Sequence, residues 1–187
     1  MRVLDVAGGT GDMAAKFAVR VGWRGQVVIA DINSSMLEVG RGRLADQGFA
    51  GNVDFVQANA ENLPFPDDYF DRVSIAFGLR NLADFEAGFR EMARVVRPGG
   101  WVVCLERSGP RPRGGCRTYH RLFMRLAPVV GGLFGRRGAY EYLPASLEGF
   151  PRPEHLALTM RRAGLVDVSY RRLALGAVAL HRGRVPA

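Results

Sequence analysis

The chain has 187 residues, 48% apolar and 24% charged, with two cysteines and a formal net charge of +8 at pH 7. That length suits one α/β domain with a real core, and the composition excludes a disordered chain, a collagen-like repeat and a disulfide-built scaffold. No secretory apolar region or cleavage site follows Met1, and the weakly polar run 126–135 is about half the roughly 20 residues of a membrane-spanning helix, so a cytoplasmic protein is expected.

Taken in chain order, 3–6 reads as a buried strand, Ala7-Gly8-Gly9-Thr10-Gly11 as a turn, and 12–21 as a helix with Met13, Phe17 and Val21 on one side. The unit repeats with a strand over 26–30, a helix over 34–47 behind an Asn33 or Ser34 cap, and a strand over 53–57. A strand over 72–77 and a helix over 84–96 follow. Pro98 and Gly99 are expected to stop that helix before a strand over 101–105. After Ser108 the regularity fails: a loop, a basic and apolar helix to about 130 and a further loop region lead to a helix over 153–163 and strands over 166–173 and 177–181.

Strands and helices alternating through short connections predict a doubly wound, mostly parallel sheet with helices on both faces, a Rossmann-like α/β fold. One domain over 1–187 is expected, with 108–152 as an insertion on the acceptor side. The ligand crevice belongs at the carboxyl ends of the early strands.

Gly9-Thr10-Gly11-Asp12-Met13-Ala14 fits the loose dinucleotide pattern G-x-G-x-x-A, a weak signal alone. A dinucleotide would set its pyrophosphate at the helix N-terminus, where Asp12 already places a carboxylate, and the two anions would repel. S-adenosylmethionine carries no phosphate and bears a sulfonium and an ammonium. Gly8, Gly9 and Gly11 allow close backbone approach, Asp5 and Asp12 supply negative charge, and Asp31 can accept both ribose hydroxyls, each bond contributing about 1.5 to 3 kcal/mol. The other reading is a plain tight turn, with Asp31 a mere neighbour of a helix cap. Asn59 and the backbone at Ala60 follow the third strand, where an adenine edge would lie; Asn59 can equally cap the next turn.

Val3-Leu4-Asp5-Val6-Ala7-Gly8-Gly9-Thr10-Gly11-Asp12, the ADINSSMLEVG block from Ala30, the VQANAENLPFPDDYFD block from Val56, Phe77-Gly78-Leu79-Arg80-Asn81 and REMARVVRPGG from Arg90 together closely resemble the quinone-biosynthesis C-methyltransferases. That family acts on demethylmenaquinol or on a polyprenyl methoxybenzoquinol. The resemblance covers nearly the whole chain and implies a class I methyltransferase fold, S-adenosylmethionine as cofactor and a prenylated quinol as substrate in menaquinone or ubiquinone biosynthesis. Thr10, Asp31, Asn59 and Ala60 match the family's cofactor-binding positions. The family's serine two residues before the glycine of FGLRN is Ala76 here, and its N-terminal helices have no counterpart before the first strand, so a shortened form is expected.

Methylating an aromatic carbon calls for a phenolate-like nucleophile held in line with the methyl and sulfur. Arg80 is assigned to stabilise that phenolate rather than to remove its proton, because guanidinium stays protonated. Asn81 is assigned to orient the same oxygen. The alternative for both is to cap the next helix or to pair with Asp84. Tyr140 and Tyr142, in a Tyr-x-Tyr-Leu that matches the family, are candidates to line the acceptor pocket or to pack in the core. No metal site is expected: Cys104 and Cys116 lack ligand spacing. The histidines carry no assigned role, His120 suiting a solvated helix face, His155 a first helical turn and His181 a strand end.

Residues 1–106 carry a net charge of −3 and residues 107–187 of +11. Arg117, Arg121 and Arg125 recur at helical spacing within 116–130, beside Leu122, Phe123, Leu126 and Val130, which fits a peripheral helix on an anionic membrane. Each cation at such a surface adds about 1 kcal/mol. Solvated arginines and ordinary packing are the plain alternatives. No nucleic acid is expected as a partner, since the cations are not interleaved with stacking aromatics; a homodimer stays open. The alternatives to a quinol methyltransferase are transfer to another small phenolic or lipid acceptor, and a non-catalytic methyltransferase-like binding domain.

Overall fold

Successive residues of the central strands point to opposite faces, and among the described residues two helices pack on each face over its own core. A computed structural model describes residues 1–49, 51–108 and 150–187. Its strands are β1 (Arg2–Val6), β2 (Gln26–Asp31), β3 (Val53–Gln57), β4 (Phe70–Ala76), β5 (Val96–Arg107), β6 (Val166–Leu173) and β7 (Val178–Arg184). Its helices are α1 (Asp12–Val21), α2 (Ser34–Asp46), α3 (Phe85–Arg94) and α4 (Pro153–Arg162).

The strands form one sheet in the order β3-β2-β1-β4-β5-β7-β6, parallel except for β7, which runs antiparallel to both β5 and β6. Leu4, Val6, Val28, Ala30, Val73 and Ile75 share one core with Phe89 and Met92 of α3 and Leu156 and Met160 of α4. On the other face Val27, Ile29 and Val53 pack against Ala14 and Ala18 of α1 and Leu37 and Leu44 of α2. Burying each of the larger aliphatic side chains contributes about 1.5–3 kcal/mol.

Local chemistry sets the helix starts. Asn33 Oδ1 accepts from the Met36 amide at 3.2 Å, so Asn33 rather than Ser34 caps α2. Asp84 Oδ1 accepts from the amides of Glu86 and Ala87 at 2.8 and 3.1 Å, which makes Asp84 the cap of α3 rather than its first residue. Pro153 opens α4, where its missing N–H costs nothing.

The region around Pro98 departs from the sequence reading. Helix α3 ends at Arg94, and Arg97 to Gly100 belong to β5 as a bulge: Phe70 pairs with Val96, and the next registered pair is Arg72 with Trp101. A residue before proline avoids the helical region, and Gly99 at φ 75° supplies the left-handed step. Strand β7 continues three residues past His181, and a short 3-10 turn occupies Leu79–Asn81. The expected helix over 116–130, and with it Cys116, His120, Tyr140 and Tyr142, lies outside the described residues. Among the described residues no helix is long and apolar enough to cross a membrane.

Candidate active site

The chain leaves β1 to one side toward β2 and is joined by β4 on the other, so the sheet order reverses at β1 and a crevice opens beyond the strand ends there. Each of these two strands is followed by a non-glycine residue in the left-handed region, Ala7 at φ 51° and Phe77 at φ 56°. Such residues are uncommon and concentrate at functional sites. Each swings its loop across the top of the sheet, and the Phe77 amide donates to the Leu105 carbonyl at 2.9 Å to fix the second loop on β5.

The glycine turn is cradled from below. A Cβ on Gly8 would stand 2.8 Å from Ile29 Cγ2 and 3.0 Å from Asp5 Oδ2. One on Gly9, at φ 54°, would stand 2.8 Å from Met36 Cε. Asp31, 9% exposed at the end of β2, accepts from the Gly9 amide on Oδ2 and from the Asn33 amide on Oδ1, both at 2.9 Å. Each oxygen keeps a second lone pair, so the carboxylate is aimed but not exhausted.

Two residues that the sequence reading passed over complete this side. Ser74 Oγ on β4 donates to Asp5 Oδ1 at 2.6 Å. Arg43 of α2 donates to Thr10 Oγ1 at 2.9 Å and to Asp12 Oδ1 at 2.8 Å. Asp12 therefore meets the site already paired with a guanidinium, a correction to its reading as a source of negative charge.

Asp5 also differs from expectation. It is 1% exposed, and its Oδ2 has no hydrogen-bond partner among the described residues. Burial drives its pKa from 3.8 up to about 7, against the Ser74 hydrogen bond, which lowers it, and with the Asp31 charge, which raises it further. The carboxyl is a latent rather than a standing charge, and a cation placed above it would draw off the proton.

Gly11 faces the core instead. It does not line the crevice: at φ 81° it caps α1, and a Cβ there would stand 2.8 Å from Leu44 Cδ1 and 3.1 Å from Ile29 Cδ1, inside the core. Asn59 does reach the crevice, but its Oδ1 accepts from the Glu61 amide at 3.0 Å, so the local turn uses that oxygen and leaves the amide nitrogen as its group for a ligand. Ala60 lies beside it with its methyl in the core.

Across the crevice, Arg80 does not pair with Asp84, which is occupied with its cap. Its Nη1 donates to Glu106 Oε1 at 3.3 Å, and the side chain remains 24% exposed. Asn81 beside it is exposed. Together Asp5, Gly8, Gly9, Thr10 and Asp31 on one side, Asn59 and Ala60 at one end, and Arg80 and Asn81 on the other side line a single cleft of about 690 Å³. Met36 and Phe77, which lie within the family-like blocks but carried no assigned role, line it too.

The residues fit S-adenosylmethionine on the structure's own terms. An unpartnered buried carboxyl lies under a glycine cradle that a Cβ would fill, and an aimed acidic side chain stands where a ribose diol can be received. A model of the ubiE/COQ5 methyltransferase family matches residues 1–185. The chain belongs to that family. It is 50% identical over 184 residues to the ubiquinone/menaquinone biosynthesis C-methyltransferase UbiE of Shewanella frigidimarina, covering 98% of this chain and 73% of that one. The UbiE of Pseudomonas putida strain F1 is 50% identical over 186 residues, with 99% and 73% covered.

Among solved structures, a SAM-dependent methyltransferase from Aquifex aeolicus superposes with a TM-score of 0.70 at 18% identity, covering 99% of this chain and 82% of that one. The [4+2]-cyclase SpnF reaches 0.76 at 20% identity, covering 100% and 75%. These likenesses show the fold, a Rossmann-like class I methyltransferase sheet, and the cyclase among them shows that the fold alone does not choose the reaction. Family membership does choose it: this family member is an S-adenosylmethionine-dependent methyltransferase.

Proposed function

We propose that the chain transfers a methyl group to a ring carbon of a prenylated quinol, demethylmenaquinol foremost, in menaquinone or ubiquinone biosynthesis. The observation that carries this reading is the presence of Arg80 in the same cleft as Asp5, Asp31 and the glycine turn. A permanent cation thus borders the space next to the donor's seat, where an acceptor oxyanion would need it. The 50% identity to chains named as quinone-biosynthesis C-methyltransferases supports the choice of acceptor.

When bound, S-adenosylmethionine supplies an electrophilic methyl on sulfur. Asp31 would receive the ribose hydroxyls on its remaining lone pairs, and the Asn59 amide with the Ala60 backbone would meet the adenine edge. Thr10, held by Arg43, and the amides around Gly8 and Gly9 would fix the donor's other end above Asp5.

The acceptor becomes nucleophilic at the carbon beside its hydroxyl once that hydroxyl has lost its proton. Arg80 would stabilise the oxyanion, and Asn81 would orient it, so that the ring carbon points along the sulfur–methyl bond. The ring carbon's electron pair would form the new carbon–methyl bond as the methyl–sulfur pair stays with the donor, and release of the ring proton to solvent would restore aromaticity. Tyr140 and Tyr142 would border the acceptor, and segment 116–130 would meet the anionic membrane that holds the prenyl tail. Flotation with anionic but not neutral liposomes tests that contact.

The test of the reaction is incubation with methyl-labelled donor and chemically reduced demethylmenaquinol in detergent, followed by extraction. Label is expected in menaquinol, and Arg80→Ala is expected to abolish it with donor binding intact. Donor binding with no transfer to the quinol would overturn the reading in favour of another phenolic or lipid acceptor, or of a binding domain without turnover.

A further inference from the structure

Glu106 is a buried carboxylate at the upper end of β5, 1% exposed, one residue beyond the last β4–β5 pair, Ala76 with Leu105. A charge there is costly unless it is paired. Its Oε1 accepts from Arg80 Nη1 at 3.3 Å and from the backbone amide of Arg107 at 3.0 Å, while Oε2 has no hydrogen-bond partner among the described residues. The Arg107 guanidinium is within electrostatic reach of both, since the Arg80 charge lowers its pKa and the Glu106 charge raises it, after burial.

The backbone explains why the two side chains meet. Left-handed Phe77 follows β4, its amide is tied to Leu105, and the 3-10 turn Leu79–Asn81 then carries Arg80 over the end of β5. Leu79 is fully buried and anchors the turn. Arg80 has no other hydrogen-bond partner among the described residues, and this contact orients its long side chain.

We propose that Glu106 is a positioning residue of the methyl transfer: its carboxylate, fixed on β5, holds the Arg80 guanidinium at the cleft in the orientation that meets the acceptor oxygen. This rests on the reading of Arg80 given above. Glu106 itself is not among the described residues that line the cleft. A displaced guanidinium would still leave the donor's seat whole, on the far side.

The test compares Glu106→Gln, Glu106→Asp, Arg80→Gln and the double variant E106Q/R80Q, with kcat, acceptor KM, donor affinity and the pH profile measured for each. Glu106→Gln is expected to lower kcat by about 10- to 100-fold, the loss that follows a misplacement of order 1 Å. Donor affinity should stay unchanged, and the profile should shift so that activity rises toward higher pH, where the acceptor ionises unaided. Glu106→Asp keeps the charge but withdraws it from an already long contact, so it should resemble Glu106→Gln.

In the Arg80→Gln background, removing Glu106 should cost nothing further, because the residue acts through Arg80. The double variant removes both members of the Arg80–Glu106 pair, so it reports even if a single variant folds poorly. Additive losses, or a fall in donor affinity equal to the fall in kcat, would overturn the positioning role. Full activity in Arg80→Gln would instead overturn the reading of Arg80 on which it rests.

Discussion

Ser74 Oγ donates to Asp5 Oδ1 at 2.6 Å, and that single bond is the side-chain contact holding a carboxyl buried directly beneath Gly8. One hydroxyl does not offset the desolvation of a full charge, which is why the Asp5 pKa stands near 7 instead of 3.8. Between these values the folded chain holds a proton that the unfolded chain has released. Asp5 therefore favours folding fully below about pH 3.8, and that contribution is lost as pH rises through 7.

Binding a cationic donor should reverse this preference. Donor affinity is predicted to fall as pH drops below about 7, with proton release on binding, seen by calorimetry in buffers of different ionisation enthalpy. Asp5→Asn should weaken donor binding by about tenfold or more, the loss of one charge-assisted contact, yet raise the melting temperature of the free chain at pH 8. Unchanged affinity in Asp5→Asn would contradict a donor seated over this carboxyl.

Gly9 and Gly11 should separate binding from stability. A methyl on Gly9 meets only the flexible end of Met36 and stands 4.0 Å from Asp31 Oδ2, so Gly9→Ala should cost about 1–2 kcal/mol for its left-handed backbone and block the donor. A methyl on Gly11 runs into Leu44 and Ile29, so Gly11→Ala should cost about 1–3 kcal/mol more in overpacking and alter donor affinity far less. Thermal melts and donor titration of the two variants check the split.

That pair also shows what could be read from the residues beforehand. The alternation of 3–6, 12–21 and 26–30 revealed the parallel sheet because each segment carries its own period, and the glycine spacing located the crevice. Nothing local could say that Gly9 lines the cleft while Gly11 borders Leu44, since a left-handed φ serves both. Asp5 reads as an anion in a sequence, and only its burial beside Ser74 makes it a proton store. Arg80 stood out through its motif, but its partner comes from another strand 26 residues away, and helical-cap logic pointed to Asp84 instead. The Arg97 to Gly100 segment looked like a helix stop because proline and glycine end helices and shape bulges by the same torsions.

Arg94 ties the Asn59 end of the cleft to the scaffold. Its guanidinium donates to the Leu63 and Phe65 carbonyls at 2.9 and 2.8 Å, to Asp67 at 2.7 Å and to Glu91 at 2.8 Å. Glu91 in turn accepts from the Leu63 amide at 2.8 Å. Arg94→Ala should destabilise the chain by about 2–3 kcal/mol through lost charged hydrogen bonds and weaken donor binding through the loosened 58–63 loop. Denaturant melts with and without donor test this; equal donor affinity would free the loop from dependence on Arg94.

The most direct test of the whole account is where the methyl group lands. The purified chain, given carbon-13 methyl-labelled S-adenosylmethionine and reduced demethylmenaquinol, should yield a product whose labelled carbon is bonded to the ring carbon by NMR, and Arg80→Ala should yield none. Label on a quinol oxygen, or product formed as well by Arg80→Ala as by the unaltered chain, would contradict a carbon transfer steered by Arg80.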